Sequence, residues 1–268
     1  MTIASGTVEV SNAPLLDYEE VDRPVLAVRR EFPPSFELEW HRHSRGQLLY
    51  VAKGVAAVHT PYGAWMAPPE RAVWTPAGMP HAVRMVATVS TRSIRIDPAR
   101  WRSPADRSQV VEVSPLLRTL LDAATEITPA YDVQGRDGLL MELLVNEVER
   151  APLIPLAVPF PTSTALAAKC RAFLERPNPH DTIEDWSVAL AIGRRAFTRM
   201  FRRETGMSFA QWRSQACLLT ALPRLSSGES VTNVALDLGY DSPAAFATMF
   251  KRLIGVAPSH YARTTAMT

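Results

Sequence analysis

At 268 residues the chain has the length of two average domains, and its 47% hydrophobic and 21% charged content is that of a folded globular protein. Cys170 and Cys217 are too few for a disulfide framework or a cysteine-ligated cluster, and Met1 to Pro14 lack the basic start and apolar run of a leader. No apolar stretch is long enough to cross a bilayer, so the expectation is a cytoplasmic protein without membrane contact. The net charge of +2 conceals an asymmetry: residues 163–268 carry 13 Lys and Arg against 8 Asp and Glu, whereas residues 1–162 carry 16 against 19. A basic second half invites a polyanion, with position along the chain deciding which.

From Val25 to Ile96 short β-branched and aromatic runs (Phe36 to Trp40, Gln47 to Val51, Val55 to His59, Arg71 to Trp74, Ser93 to Ile96) alternate with turn signals such as Lys53-Gly54 and Pro76-Ala77-Gly78. Strands about ten residues apart with no helix-length segment between them predict an antiparallel barrel or sandwich over residues 1–105. His41 and His43 stand two apart on a strand, so both side chains face one side, and His81 on a second hairpin could join them. Trp40-His41-Arg42-His43, Gln47, Gly54 and Pro76-Ala77-Gly78-Met79-Pro80-His81 resemble the cupin pattern, with Gln47 replacing the usual glutamate and Met85 standing where asparagine is common. Two readings stay open for His41, His43, Gln47 and His81. They form either a three-nitrogen site for Zn, Ni, Cu or Fe, with Gln47 a weak neutral ligand, or the hydrogen-bonded lining of a metal-free effector pocket. Trp65 and Trp74 are candidates for the barrel mouth, although core packing is the commoner role of such residues.

After Pro104 the period changes. Ser114-Pro115 reads as a cap and first turn ahead of Leu116, Leu117, Leu120, Leu121 and Ala124. A second helix from Arg136 to Arg150 carries a stripe of Leu139, Leu140, Leu143, Leu144 and Val148. The stripes of this helical pair, residues 106–150, fit either monomer core or a homodimer contact. Residues 151–162 hold Pro152, Pro155, Pro159 and Pro161 and read as a semi-rigid spacer between domains.

Residues 163–268 read as all-α. Thr182 to Ala191, a turn at Ala191-Ile192-Gly193 and a helix over Arg194 to Glu204 repeat the layout of Ser230 to Leu238, a turn at Gly239-Tyr240-Asp241 and a helix over Pro243 to Ile254. Two such units are two helix-turn-helix elements. Phe197 and Phe201 correspond to Phe246 and Phe250 as inward anchors. Opposite them lie Arg195, Thr198, Arg199 and Arg202 in one helix, and Ala244, Ala247, Thr248 and Lys251 in the other. Six arginines within residues 194–213 face one acid, Glu204, a ratio suited to a helix in a DNA major groove.

The run Arg194-Arg195 through Phe197, Arg199, Phe201, Glu204 and Gly206, with Gly239-Tyr240-Asp241-Ser242-Pro243, Phe246, Phe250, Gly255, Pro258 and Tyr261, resembles the AraC/XylS family of bacterial transcription regulators over residues 182–263. The resemblance implies a seven-helix domain with two recognition helices in successive major grooves, dimerisation through residues 1–162, and a small-molecule effector. By position it places base reading on Arg195, Thr198, Arg199, Pro243, Ala244, Ala247 and Thr248. Arg194, Arg202, Arg203, Lys251 and Arg252 are the cations placed to meet phosphates. Gly193 departs from the family's capping serine, and Pro223 should kink or shorten the long connecting helix. The competing function is a metal-dependent cupin enzyme, a dioxygenase or isomerase with a helical accessory domain. The loss of the acidic ligand at Gln47 and the double helix-turn-helix weigh against it. The expected fold is therefore a two-domain α+β chain with a cupin-like barrel and an all-α DNA-binding part, and no enzyme.

Overall fold

A computed structural model describes residues 21–85, 88–100, 107–154 and 156–266. Residues 1–14, together with Pro104 and Pro155, lie outside them. In chain order the elements are β1 (Val25–Phe32), β2 (Glu37–His41), β3 (Gly46–Lys53), β4 (Ala56–Thr60), β5 (Gly63–Ala67), β6 (Arg71–Thr75), β7 (His81–Met85), β8 (Val89–Ile96) and β9 (Gln109–Glu112). Helices α1 (Pro115–Ala124) and α2 (Arg136–Arg150) follow, then β10 (Leu153–Ile154) and β11 (Ala157–Pro159). The remainder is helical: α3 (Thr164–Glu175), α4 (Ile183–Ala189), α5 (Arg194–Thr205), α6 (Phe209–Ser226), α7 (Val231–Asp237), α8 (Pro243–Ile254) and α9 (Pro258–Ala266).

Two antiparallel sheets, β1-β8-β3-β6-β9-β10 and β11-β5-β4-β7-β2, form the N-terminal part. Strand β3 shows why. Leu49 and Val51 join the core between the sheets, while Leu48 and Tyr50 point the other way, under α1 and α2. With both faces covered, the strand is apolar at successive positions and does not alternate. Gly46 is required by packing, because a Cβ there would lie 2.3 Å from the Trp74 ring. Trp74 belongs to the cluster beneath the helical pair and not to the barrel mouth, a correction to its candidacy as effector lining. Trp65 is also buried, but beside the helical domain.

The sheets continue past residue 105, since β9 pairs with β6. The proline-rich stretch is extended, as its composition requires, yet it is strand-paired and not a free spacer: β10 pairs with β9 and β11 with β5. Pro159 is tolerated because β11 is an edge strand. Trp212 Nε1 donates to the Pro159 carbonyl at 2.8 Å, and one apolar cluster runs from Val58 and Val158 in the sheets to Trp212 and Leu222 of α6.

Ser114 accepts from Leu117 N at 3.0 Å and starts α1. The stripe expected on α2 divides: Leu144 and Val148 are buried, while Leu139 is 63% and Leu143 46% exposed. Gly138, Met141 and Val145 complete the buried face, so the leucines at 139 and 143 sit on the outer side. Pro223 lies within α6 and does not shorten it, the helix running on to Ser226. Being in the last turn, it removes only one internal hydrogen bond. Both cysteines are buried and free, and burial pushes the Cys217 thiol up to about 11. Among the described residues no helix is long and apolar enough to cross a membrane.

Candidate functional site

The two helical units are near copies at the level of hydrogen bonds. In the first, Ala191 N bonds Val188 O and Ile192 N bonds Ser187 O; in the second, Gly239 N bonds Leu236 O and Tyr240 N bonds Ala235 O. The left-handed turn residue is Gly239 (φ 85°) in one and Ala191 (φ 52°) in the other, so the first unit tolerates a strained non-glycine where glycine was the sequence signal. Thr182 with Asp185 forms a capping box on α4, and Ser230 and Ser242 cap α7 and α8. Helices α5 and α8 both stop at a left-handed glycine, Gly206 or Gly255. Phe197, Phe201, Phe246 and Phe250 are all buried. Trp186 gathers Phe173, Phe197, Phe201, Phe209 and Trp212 at ring separations of 4.8–6.3 Å.

Anchored this way, α5 exposes Arg194, Arg195, Thr198, Arg199, Arg202 and Arg203. Arg194 pairs with Glu184 at 2.6 Å and Arg203 with Glu204 at 3.0 Å, whereas Arg195, Arg199 and Arg202 make no ion pair among the described residues. Two arginines in the first turn oppose the helix dipole, and Gly193 supplies no side-chain cap, so α5 begins with positive charge that nothing internal to the helix offsets. Arg213, counted with this group in the sequence, instead donates to the Asp181 carbonyl. On α8, Ala244, Thr248, Lys251 and Arg252 are exposed and Pro243 and Ala247 partly so. Thr248 stands where α5 has Arg199, and Thr198 where α8 has Ala247; each threonine hydroxyl donates to the carbonyl four residues back, at 3.0 and 2.9 Å. With the donor engaged, each threonine offers an oxygen lone pair and a methyl group outward.

In the barrel, His41 and His81 face each other across the β2–β7 pair, and His43 follows the end of β2. Their ligand atoms lie within 4.8 Å of one another. His41 Nδ1 meets the Glu39 carbonyl at 2.6 Å and His81 Nδ1 meets the Met79 carbonyl at 2.9 Å. A carbonyl only accepts, so each ring carries its proton on Nδ1 and turns a lone pair outward at Nε2, as a metal-ligating histidine does. The His43 ring has other interactions, but its buried Nε2 atom makes no hydrogen bond. Gln47 bridges Ser93 Oγ at 2.8 Å and His81 Nε2 at 3.1 Å. The amide is placed with Nε2 donating to Ser93 Oγ and Oε1 facing His81 Nε2; since that His81 nitrogen is an acceptor, the rotated amide, with NH2 towards His81 and the oxygen taking the Ser93 hydroxyl, satisfies both partners. The donor set of neutral imidazoles fits Zn, Ni, Cu or Fe, and Gln47 acts as a hydrogen-bonding neighbour of the triad.

Burial, then the charge of Arg95, lowers His43 to about 2; burial also lowers His81 to about 4. Both rings are neutral in the fold at neutral pH. The unfolded chain takes up protons at these histidines below about pH 6.5 while the fold does not, so the metal-free protein loses stability as pH falls from about 6.5 towards 4. The slope is up to about 1.4 kcal/mol per pH unit for each ring. Urea unfolding at pH 7, 5.5 and 4.5 measures it, and His81→Gln should flatten the dependence.

Arg30, between Val28 and Phe32 on β1, and Arg95, opposite Gln47 in the β3–β8 pair, also line the barrel chamber and were missed in the sequence. The signal was present: a cation at an inward position of a period-two strand. His59 lines a separate cleft of about 340 Å³ between β5 and α6, with Trp65 and Arg224.

A barrel with an inward histidine cluster, joined to two helix-turn-helix units, defines a transcription regulator with a ligand-binding domain. Residues 24–145 match the AraC-like ligand binding domain and residues 186–264 match a helix-turn-helix domain. The HTH-type transcriptional regulator NimR of Escherichia coli (strain K12) is 31% identical over 228 residues, covering 85% of this chain and 83% of NimR. RipA of Corynebacterium glutamicum, another HTH-type transcriptional regulator, is 24% identical over 127 residues, covering 47% of this chain and 37% of RipA. Among solved structures, the DNA-binding domain of AdpA in complex with a target DNA is 31% identical, covers 38% of this chain and 93% of that one, and has a TM-score of 0.36. The chain belongs to the AraC family of helix-turn-helix transcription regulators.

Proposed function

We propose that the protein is a ligand-responsive, sequence-specific regulator, not an enzyme, that acts in the cytoplasm as a homodimer on double-stranded DNA and holds a small effector or a divalent metal in its barrel. The observation that carries the reading is the exposed cationic face of α5, in which Arg195, Arg199 and Arg202 have no acidic partner among the described residues. Arg195, Thr198 and Arg199 read bases in one major groove. In the next, Pro243, Ala244, Ala247 and Thr248 present mainly apolar surface, suited to thymine methyl groups and groove shape. Arg194, Arg202, Arg203, Lys251 and Arg252 meet phosphates. Residues up to 162 form the effector and dimer portion and residues 163–268 the DNA-binding portion. Because an apolar cluster links the two, the full chain is the right test object. Selection from random duplexes should enrich two short motifs one helical turn apart. Recovery of unenriched sequence would contradict sequence-specific binding.

The metal half of the reading has its own test. Protein purified without chelator or histidine tag should carry about one divalent ion per chain, with nitrogen ligands at about 2.0–2.1 Å by X-ray absorption. His43→Ala should abolish retention and leave basal DNA affinity unchanged. Protein that takes up no metal, yet still responds to its effector, would make the histidines pocket lining.

A further inference from the structure

The loop between α3 and α4, residues 176–182, ties the first helix-turn-helix unit to the second. Pro177 and Pro179 fix two of its backbone angles, and Asn178 closes its turn: the side-chain oxygen accepts from His180 N at 3.0 Å and the carbonyl from Asp181 N at 3.2 Å. Asp181 anchors this turn in the first unit. Its carboxylate accepts from Nε1 of buried Trp186 at 2.8 Å, and its carbonyl accepts from Arg213 of α6. With its backbone held there, His180 extends its ring to the second unit, where Nε2 donates to the Gly239 carbonyl at 2.8 Å and lies 3.5 Å from Asp241 Oδ1. The turn backbone rests on the same loop, since a Cβ on Gly239 would lie 3.5 Å from Pro179 Cδ.

The second unit also docks on α6, through Arg224 with Glu229 and Asp237 and through Tyr240 with Cys217. Contacts to one helix leave rotation about that helix, and a tie reaching directly from the first unit opposes it. We infer that His180 is a positioning residue for DNA reading: it sets the tilt of α8 relative to α5, and with it the spacing that the protein accepts between its two half-site motifs. The lever is long enough. The 12 residues of α8 span about 18 Å, so a tilt of about 10° at the turn moves the far end by about 3 Å, close to the rise of one base pair. The inference rests on the reading of α5 and α8 as groove-reading helices and adds what fixes their separation.

Anisotropy titrations of the full-length protein test this on duplexes carrying the two motifs recovered by selection, at the selected spacing and with a base pair or two added or removed. Wild type should prefer one spacing by at least about tenfold. His180→Ala should cut that preference about fivefold, the worth of one hydrogen bond, while binding a duplex with a single motif within about twofold of wild type. His180→Gln, whose amide NH2 can still donate to the Gly239 carbonyl, should keep most of the preference. An unchanged spacing preference in His180→Ala overturns the inference. So does a loss of affinity by one factor on every duplex, the single-motif one included, which would mark a merely structural role. Wild type indifferent to spacing overturns it and leaves sequence-specific reading in place, whereas selection that enriches no motif removes that reading and the inference with it.

Discussion

Arg199→Ala is expected to erase most of the preference for operator over random duplex, a loss of about 1–3 kcal/mol in discrimination if its guanidinium is bidentate to a base edge. The residue sits on the exposed face of α5, one turn from Arg195 and Arg202, behind a helix fixed by buried Phe197 and Phe201. Its side chain is therefore free to enter a groove while its backbone is rigid. Arg202→Ala is the contrast: a phosphate contact should weaken both DNAs alike and lower the salt slope by about one. Arg203 is a poorer control than its position suggests, because Glu204 holds it at 3.0 Å and neutralises part of its charge. Anisotropy titrations on operator and scrambled duplex at several salt concentrations separate the two roles. Equal losses on both DNAs for Arg199→Ala would remove it from the base readers.

Leu139→Asp combined with Leu143→Asp is expected to yield a folded monomer with operator affinity lower by about 100-fold or more, the loss that follows when two linked binding events become separate. Leu139, Leu143 and Leu116 expose large apolar side chains on α1 and α2, while the opposite faces of these helices pack on the sheet. The aspartates replace groups that touch no core, so folding should survive. Sedimentation velocity at micromolar concentration reads the state of association. A wild-type monomer, with and without DNA, would contradict the dimer.

The helical half was legible because its signals are local. Glycine stops and phenylalanines one turn apart act within a few residues, and α5 and α8 end at Gly206 and Gly255 over buried phenylalanines as their spacing implies. The barrel was legible only where strands alternate or sit between turn residues. Strand β5, Gly63–Ala67, is buried throughout and carries no period, and β11 enters a sheet through a pairing with residues almost a hundred positions away. No short window contains that contact. The division of the α2 stripe was not legible for a related reason: Leu139 and Leu143 differ from Leu144 and Val148 only by rotation about the helix, and the sheet underneath decides which face is inner.

Among the site residues, the histidines were legible as a spaced pattern. Their tautomers, set by the Glu39 and Met79 carbonyls, were not. Trp74 was assigned by residue type alone, and its true face follows from pairing with Leu48 in the β3–β6 register, on the side that carries the helices. Arg30 and Arg95 escaped because an isolated arginine in a strand reads as solvated surface until the sheet closes over it.

Footprinting of the full-length protein on the DNA flanking its own gene, with increasing candidate effector in the presence of Zn²⁺, separates a ligand-responsive operator binder from a protein that coats DNA without preference. Protection of paired sites about one helical turn apart is expected, at protein concentrations that leave random DNA unprotected, with a shift in occupancy as the barrel ligand is added. Uniform weak protection along the fragment, unchanged by any ligand, would contradict it.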